Sequence, residues 1–105
     1  MLLLMLAGDA EARRYPITKS DSTGTWVGTR GGLLHGMGEL WKRYGREQGL
    51  PSSRVNDVEL TSRSVWVATP RGLARLDKGT RRWEVFRPPN VPSAQVNAVS
   101  VDPSD

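Results

Sequence analysis

The stretch Thr25-Trp26-Val27-Gly28-Thr29 returns 40 positions later as Val65-Trp66-Val67-Ala68-Thr69. The pair Gly32-Leu33 returns at the same spacing as Gly72-Leu73. Both copies join a β-branched and aromatic run to a turn that ends in glycine, which is typical of a strand followed by a tight reversal into the next strand. An internal repeat of this length therefore organises the 105-residue chain.

The repeat extends outward from these two blocks. Trp41-Lys42-Arg43-Tyr44 matches Trp83-Glu84-Val85-Phe86 at a spacing of 42 positions. The link Leu50-Pro51-Ser52 matches Val91-Pro92-Ser93 at a spacing of 41, and both links continue into a Val-Asn pair. Blocks that return in the same order with nearly constant spacing indicate two copies of one structural unit.

Each copy is predicted to form four strands. In the second copy the strands cover residues 66–69, 73–76, 82–87 and 96–101. The third of them alternates polar and apolar residues, which is the pattern of a half-buried strand. Glycines interrupt the one helix-like stretch, residues 33–48, and this argues against a helix there.

Four antiparallel strands in about 40–45 residues make a unit the size of one β-propeller blade. The sequence therefore predicts an all-β fold, a β-propeller fragment of about two four-stranded antiparallel blades with partial strands at both ends. Residues 1–20 match the repeat poorly, and residues 21–61 form the first repeat. Residues 62–105 hold the second repeat and the start of a third, at Asp102-Pro103-Ser104-Asp105.

These blocks resemble the two-component regulator propeller repeat. The pattern of that family is Asp-x-x-Gly-x-Leu-Trp-Val-Gly-Thr, then a Gly-Leu strand, a Trp-x-x-Tyr strand and a Gly-Leu-Pro-Ser link. The first repeat follows it from Asp21-Ser22-Thr23-Gly24 through Trp41 to Gly49-Leu50-Pro51-Ser52. The second repeat departs from the pattern before Trp66 and at Asn90, which replaces the glycine of the link.

The resemblance implies a non-catalytic module, the propeller sensor region of a hybrid histidine kinase. Such a region lies in the periplasm or outside the cell and responds to a ligand that is often carbohydrate-derived. Its partners would be the remaining blades of a longer propeller. One alternative is a self-assembling, lectin-like propeller whose partner is another copy. Another is a propeller lyase, but such sites need His and acidic side chains around a metal, and His35 is the single histidine.

Ligand contacts are expected where the loops of both repeats gather at one end of the blades. The turns between second and third strands and the links between blades carry four candidate side chains there: Arg30, Arg71, Arg54 and Gln95. Because a guanidinium group offers a rigid fork of donors, this rim suits carboxylates or hydroxyls. The alternative is that these side chains only keep the rim soluble.

Large aromatic residues and glycines recur at fixed places and are interpreted as structural. The tryptophans are expected to pack one sheet against the next, in preference to forming a stacking platform for sugars or bases: Trp26, Trp66, Trp41 and Trp83. Gly32 and Gly72 are expected at turns or strand starts, because no phosphate-binding Lys or Ser follows them.

Few residues are suited to chemistry. Cysteine is absent, and His35 is placed near a predicted hairpin tip, where we expect it to be exposed. Asp57 and Glu59 share one face of a strand, but neither acid returns in the second repeat, so solvation or a cross-strand arginine is expected. We therefore predict no enzyme activity, no cofactor and no metal site.

The charge distribution and the N-terminal residues bear on nucleic-acid binding and on membrane targeting. The net charge of +4 is spread over twelve Arg and three Lys among eleven acids, with no long basic run, and we expect no nucleic-acid partner. The apolar stretch Leu2-Leu3-Leu4-Met5-Leu6-Ala7 is too short for a bilayer, which needs about 20 residues. No positive segment precedes it as in a signal peptide. It is interpreted as a short edge strand or as the torn end of a longer protein.

Overall fold

Short strands joined by tight turns make up the described part of the chain. The computed structural model describes residues 2–5, 17–91 and 93–101. Its strands are β1 Leu2–Met5, β2 Ile17–Asp21, β3 Gly24–Thr29, β4 Gly32–Met37, β5 Leu40–Tyr44, β6 Asp57–Leu60, β7 Ser64–Thr69, β8 Gly72–Asp77, β9 Trp83–Phe86 and β10 Ala98–Val101. The order is β2-β3-β4-β5 in the first sheet and β6-β7-β8-β9 in the second, while β1 pairs with β10 in a third sheet of two strands.

The predicted fold class is confirmed. Both four-stranded sheets are antiparallel, and strands adjacent in the chain are neighbours in the sheet, as in propeller-like blades. Residues 33–48 hold β4, β5 and a short 3-10 helix, Arg46–Gln48, in place of an α-helix. Ile17 opens β2, so part of the poorly matching segment forms a strand. The predicted start of a third repeat, residues 102–105, lies outside the described residues.

The sequence repeat and the sheets are out of phase by one strand. The sequence placed residues 96–101 as the fourth strand of the second repeat. In the structure β10 pairs with β1 and not with β9, so it is the first strand of the third sheet. Each repeat therefore supplies three strands to one sheet and the first strand to the next. Neighbouring sheets are consequently connected covalently, because each repeat contributes strands to both of them.

The threonine and glycine of each repeat build the turn between the second and third strands. The Thr29 hydroxyl accepts the N–H of Gly31 at 3.0 Å and donates to the carbonyl of Gly32 at 2.8 Å. Thr69 makes the equivalent bonds to Arg71 and Gly72. Gly32 and Gly72 open β4 and β8 with φ of 135° and 145°, a region that disfavours side chains. The recurring Thr and Gly are thus explained by this turn.

The second sheet is covered on both faces, whereas the first is covered on one. Between them lies a buried core of Ile17, Trp26, Leu33, Tyr44, Leu50, Val55, Val58, Val65, Val67, Ala74 and Leu76. A second cluster on the far face of the second sheet joins it to the third: Ala68, Leu73, Val91, Val96 and Val99. Burial on both faces explains why the strands of the second sheet are richer in apolar residues.

The four tryptophans differ in burial. Trp26 is fully buried, Trp66 and Trp83 are half-buried, and Trp41 is 57% exposed. Trp83 meets the ring of Tyr44 from the first sheet edge-on, with centroids 5.8 Å apart. Trp41 lies at the equivalent place in the first sheet, opposite Gly36, and its ring covers that glycine. Trp41 departs from the expected packing because no described sheet precedes the first one.

We expect Trp26→Ala to lower the free energy of unfolding by about 3–5 kcal/mol, because it empties the core between the sheets. The matched variant Trp41→Ala should cost less than about 1 kcal/mol, since that ring is largely exposed. Urea denaturation of both variants measures the two values. Equal losses would show that Trp41 is packed as Trp26 is, and would contradict the assigned core.

Candidate functional site

The loops of both repeats meet at one end of the sheets, called here the loop end. It consists of the turns at 30–31 and 70–71 and of the links at 45–56 and 87–97. The N–H of Val55 donates to the carbonyl of Thr29 at 2.9 Å, and the N–H of Val96 donates to that of Thr69 at the same distance. Each link is therefore fixed beside the turn of the sheet it leaves.

All four rim residues predicted from the sequence lie in these loops and are exposed: Arg30, Arg71, Arg54 and Gln95. Their neighbours brace the turns. The Arg43 Nε donates to the carbonyl of Gly31 at 2.8 Å, and the Arg87 Nε donates to that of Arg71 at 3.3 Å. The braced carbonyls of Gly31 and Arg71 are equivalent in the two repeats, although the arginines that brace them stand at different repeat positions.

Basic side chains outnumber acidic ones at the loop end. The arginines of these turns and links, with the two that brace them, are Arg30, Arg43, Arg46, Arg54, Arg71 and Arg87. The acid of the same described loops is Glu47, which is exposed, and Asp57, which opens β6 directly after the first link, is 2% exposed. No ion pair within residues 17–91 and 93–101 involves Arg54 or Arg71. Exposed guanidinium groups of this kind can bind carboxylates through paired donors.

The two acids of β6 are engaged in joining sheets. Asp57 accepts the N–H of Val58 at 2.9 Å and, across to the third sheet, the N–H of Val99 at 3.0 Å. Glu59 pairs with Lys19 of the first sheet at 3.3 Å. The expectation of solvation is wrong for Asp57, which is 2% exposed, and the partner of Glu59 is a lysine of the neighbouring sheet in place of a cross-strand arginine. Asp57 is buried because its carboxylate bonds to β10, the first strand of the third sheet. Glu59 instead pairs with a lysine of the first sheet.

His35 is buried, contrary to the expectation of an exposed side chain at a hairpin tip. It lies inside β4 with 8% of its surface exposed, and its ring is parallel to that of Trp26 with centroids 3.7 Å apart. Its Nε2 is 2.7 Å from the carbonyl oxygen of Thr23. The cross-strand pairing of Trp26 with His35 sets this contact. The Arg75 guanidinium takes the equivalent place over Trp66 in the second sheet.

The sequence analysis missed a polar groove at the opposite end, between the first and second sheets. Its volume is about 380 Å³, and its lining includes hydroxyl side chains with Asp21 and Lys78. The Lys78 ammonium donates to Asp21 Oδ2 at 2.5 Å and to the carbonyl of Thr61 at 2.6 Å, with 9% of its side chain exposed. This ion pair joins the two sheets across 57 positions of sequence, so no local pattern could reveal it.

Burial alone would raise the pKa of Asp21, but hydrogen bonds to its carboxylate more than offset that effect. The donors are the Lys78 ammonium and the hydroxyl and N–H of Thr23, and the charge of Lys78 acts in the same direction. Together they hold the pKa of Asp21 below its usual 3.8. The folded chain therefore stabilises the ionised form of the Asp21 carboxylate.

Comparisons of the chain with protein-family models, with curated proteins and with solved structures found no match. Within the described ranges, no three His, Cys, Asp or Glu side chains are grouped as metal ligands would be. The helical segments described there are too short and too polar to cross a membrane. The arrangement that remains as a candidate functional site is the arginine-rich loop end.

The Asp21 ion pair should make stability depend on pH. Because the pKa of Asp21 is lower in the folded chain than its usual 3.8, its ionised form stabilises the fold at higher pH. That contribution is lost as the pH falls below 3.8 through the folded-state pKa. Urea denaturation at a series of pH values measures the free energy of unfolding as a function of pH. In Asp21→Asn this free energy should fall less steeply below pH 3.8 than in the unmodified chain, while the exposed-site control Glu39→Gln should keep the original slope. An unchanged profile in Asp21→Asn would contradict the assignment.

Proposed function

We propose that this chain is a non-catalytic ligand-sensing and interaction module, part of a two-component regulator propeller, with its ligand at the loop end. The observation that carries the proposal is the repeated anchoring of the links. Val55 to Thr29 and Val96 to Thr69 are equivalent hydrogen bonds, so both repeats hold their arginines at the same end. A scaffold that fixes loops and varies their side chains is suited to recognition.

The excess of arginine favours an acidic ligand. Arg54 and Arg71 are exposed on fixed backbone and have no carboxylate partner among the described residues. Binding a carboxylate would therefore break no ion pair that these two side chains make there. Gln95, at the place of Arg54 in the second repeat, offers both a donor and an acceptor to a hydroxyl. A carbohydrate that carries carboxylates combines these features.

The environments of His35 and Asp57 argue against the lyase alternative. The His35 ring is stacked on Trp26, and its Nε2 is within hydrogen-bond distance of the carbonyl of Thr23, at the end opposite the arginines. Asp57 accepts two backbone N–H groups and is buried. A general acid or base must reach a substrate atom. The polar atoms of both side chains instead contact backbone groups of this chain.

A self-assembling lectin-like propeller is the second candidate, and the exposed ring of Trp41 favours it. The outer face of the first sheet carries Trp41, 57% exposed, where the second sheet has Trp83 at an interface between sheets. Another copy could cover that ring. Light scattering separates the two candidates, because the lectin-like protein is a discrete oligomer and the propeller segment is not.

Arg71→Ala should weaken binding of an acidic oligosaccharide about tenfold or more, because a hydrogen bond to a charged group contributes about 1.5–3 kcal/mol. Titration calorimetry with oligogalacturonate as the probe measures this, and a neutral oligosaccharide serves for comparison. The control Arg63→Ala removes an exposed arginine from the opposite end and should leave the affinity unchanged. Equal losses in both variants, or no binding of oligogalacturonate by the unmodified chain, would contradict an acidic ligand at the loop end.

A further inference from the structure

The polar groove between the first and second sheets has the size of a small-molecule site. Its volume is about 380 Å³, and such sites occupy about 300–1,000 Å³. Residues 20–23 of the first sheet line one side, residues 60–62 of the second sheet line the other, and Lys78 completes the lining. The first two sheets therefore form the groove by themselves, without the third.

Lys78 brings a hydrogen-bond donor to the groove that the chain leaves unused. Its side chain is 9% exposed, and its ammonium donates to Asp21 Oδ2 and to the carbonyl of Thr61. An ammonium group has three N–H donors, and no third acceptor for this one lies within the described residues. Leaving a donor unpaired is costly in a side chain that is so largely buried. A molecule in the groove that supplies an acceptor would satisfy it.

Two hydroxyl groups are also free, one on each side of the groove. Ser22 and Ser62 are exposed, and neither side chain makes a hydrogen bond to another described residue. A hydroxyl both donates and accepts, so each of them can bond to a hydroxyl of a ligand. The half-buried Leu60 adds an apolar contact for carbon atoms. The lining thus presents hydroxyls on two sides and a small apolar area.

The charge of the lining is balanced. Its charged side chains are Asp21 and Lys78, and they are paired with each other. An anionic ligand meets the carboxylate of Asp21 and a cationic ligand meets the ammonium of Lys78, so either is repelled by one member of the pair. A neutral ligand with several hydroxyls leaves the pair intact, since it accepts from Lys78 and donates to a remaining lone pair of Asp21. The balance of charge therefore favours a neutral ligand.

We propose that this groove binds a neutral polyhydroxyl compound of about the size of one pyranose sugar. Lys78 donates to one of its hydroxyls, Asp21 accepts from another, and Ser22 and Ser62 hold it from the two sheets. A bound molecule of this kind contacts both sheets and stabilises the folded chain by mass action. The site lies at the end opposite the arginines and is independent of the proposed function.

Trp26 reports occupancy of the groove without touching the ligand. Its indole Nε1 donates to the hydroxyl of Thr23 at 3.4 Å, and the same hydroxyl donates to the Asp21 carboxylate. The indole itself is fully buried. A ligand that bonds to Asp21 polarises this series of hydrogen bonds, so the resonance of the indole N–H is expected to shift.

The first experiment titrates the chain at about pH 6 with three sugars of one size and different charge: glucose, glucuronate and protonated glucosamine. In nitrogen–proton NMR spectra, glucose should shift the Trp26 indole N–H and the backbone N–H groups of Ser22 and Ser62, with saturation in the millimolar range. Both charged sugars should bind there about fivefold more weakly or worse, because each meets a like charge. No saturable shift with glucose, or equal or tighter binding of either charged sugar at these groups, would overturn the proposal.

The second experiment removes the two free hydroxyls. The double variant Ser22→Ala/Ser62→Ala should keep the melting temperature, because neither hydroxyl bonds to another described residue, and should weaken glucose binding about fivefold or more. The control Ser53→Ala lies in the first link at the loop end and should leave the affinity unchanged. Unchanged affinity in the double variant, or an equal loss in the control, would show that glucose binds elsewhere.

The same titrations separate the groove from the proposed ligand site at the loop end. Arg71→Ala should leave glucose binding unchanged, and the double serine variant should leave binding of oligogalacturonate unchanged, because the two sites lie at opposite ends of the sheets. Loss of glucose binding in Arg71→Ala would place the sugar at the loop end and overturn the groove as its site.

Discussion

Two backbone hydrogen bonds, from Val55 to Thr29 and from Val96 to Thr69, hold the architecture together. Each joins a link to the second strand of the sheet that the link has just left. Two residues farther on, the same link becomes the first strand of the next sheet, at Asp57 or Ala98. The link is thus fixed to one sheet and continuous with the other. Neighbouring sheets cannot slide past each other without breaking these bonds.

The two ends of the sheets carry different kinds of polar side chains. At the loop end, both repeats carry exposed arginines on fixed turns and links, but at different positions, since Arg54 stands where the second repeat has Gln95 and Arg71 stands where the first has Gly31. At the opposite end, Lys78 and Asp21 join the first two sheets by an ion pair in a polar groove. The hydrogen bonds at the loop end fix the backbone of the turns and links, while the ion pair at the other end joins two sheets.

The sequence was sufficient for the strands and turns, because their signals are local. The spacing of Trp26 and Trp66, with Gly32 and Gly72 after them, marks where a strand ends and where a positive φ is needed. Alternating polarity then sets which residues of a strand share a face. The loop positions of the rim residues follow directly from these strands, so the arginines could be placed at one end.

The rest could not be predicted, because it depends on how separate strands are aligned. His35 was expected at a hairpin tip, but β4 continues to Met37, so the turn comes later and His35 faces Trp26. The pair of Lys78 and Asp21 requires the relative position of two sheets, which no repeat spacing contains. The phase between repeat and sheet also stayed hidden, since a first strand and a fourth strand have the same local pattern.

The central claim is that the links are fixed in place by these two hydrogen bonds. Amide hydrogen exchange, followed residue by residue, tests it most directly. The account predicts that the N–H groups of Val55 and Val96 exchange only as fast as strand residues such as Val67, while Ser53 and Gln95 in the same links exchange much faster. Rapid exchange at Val55 and Val96, at the rate of their own links, would contradict it.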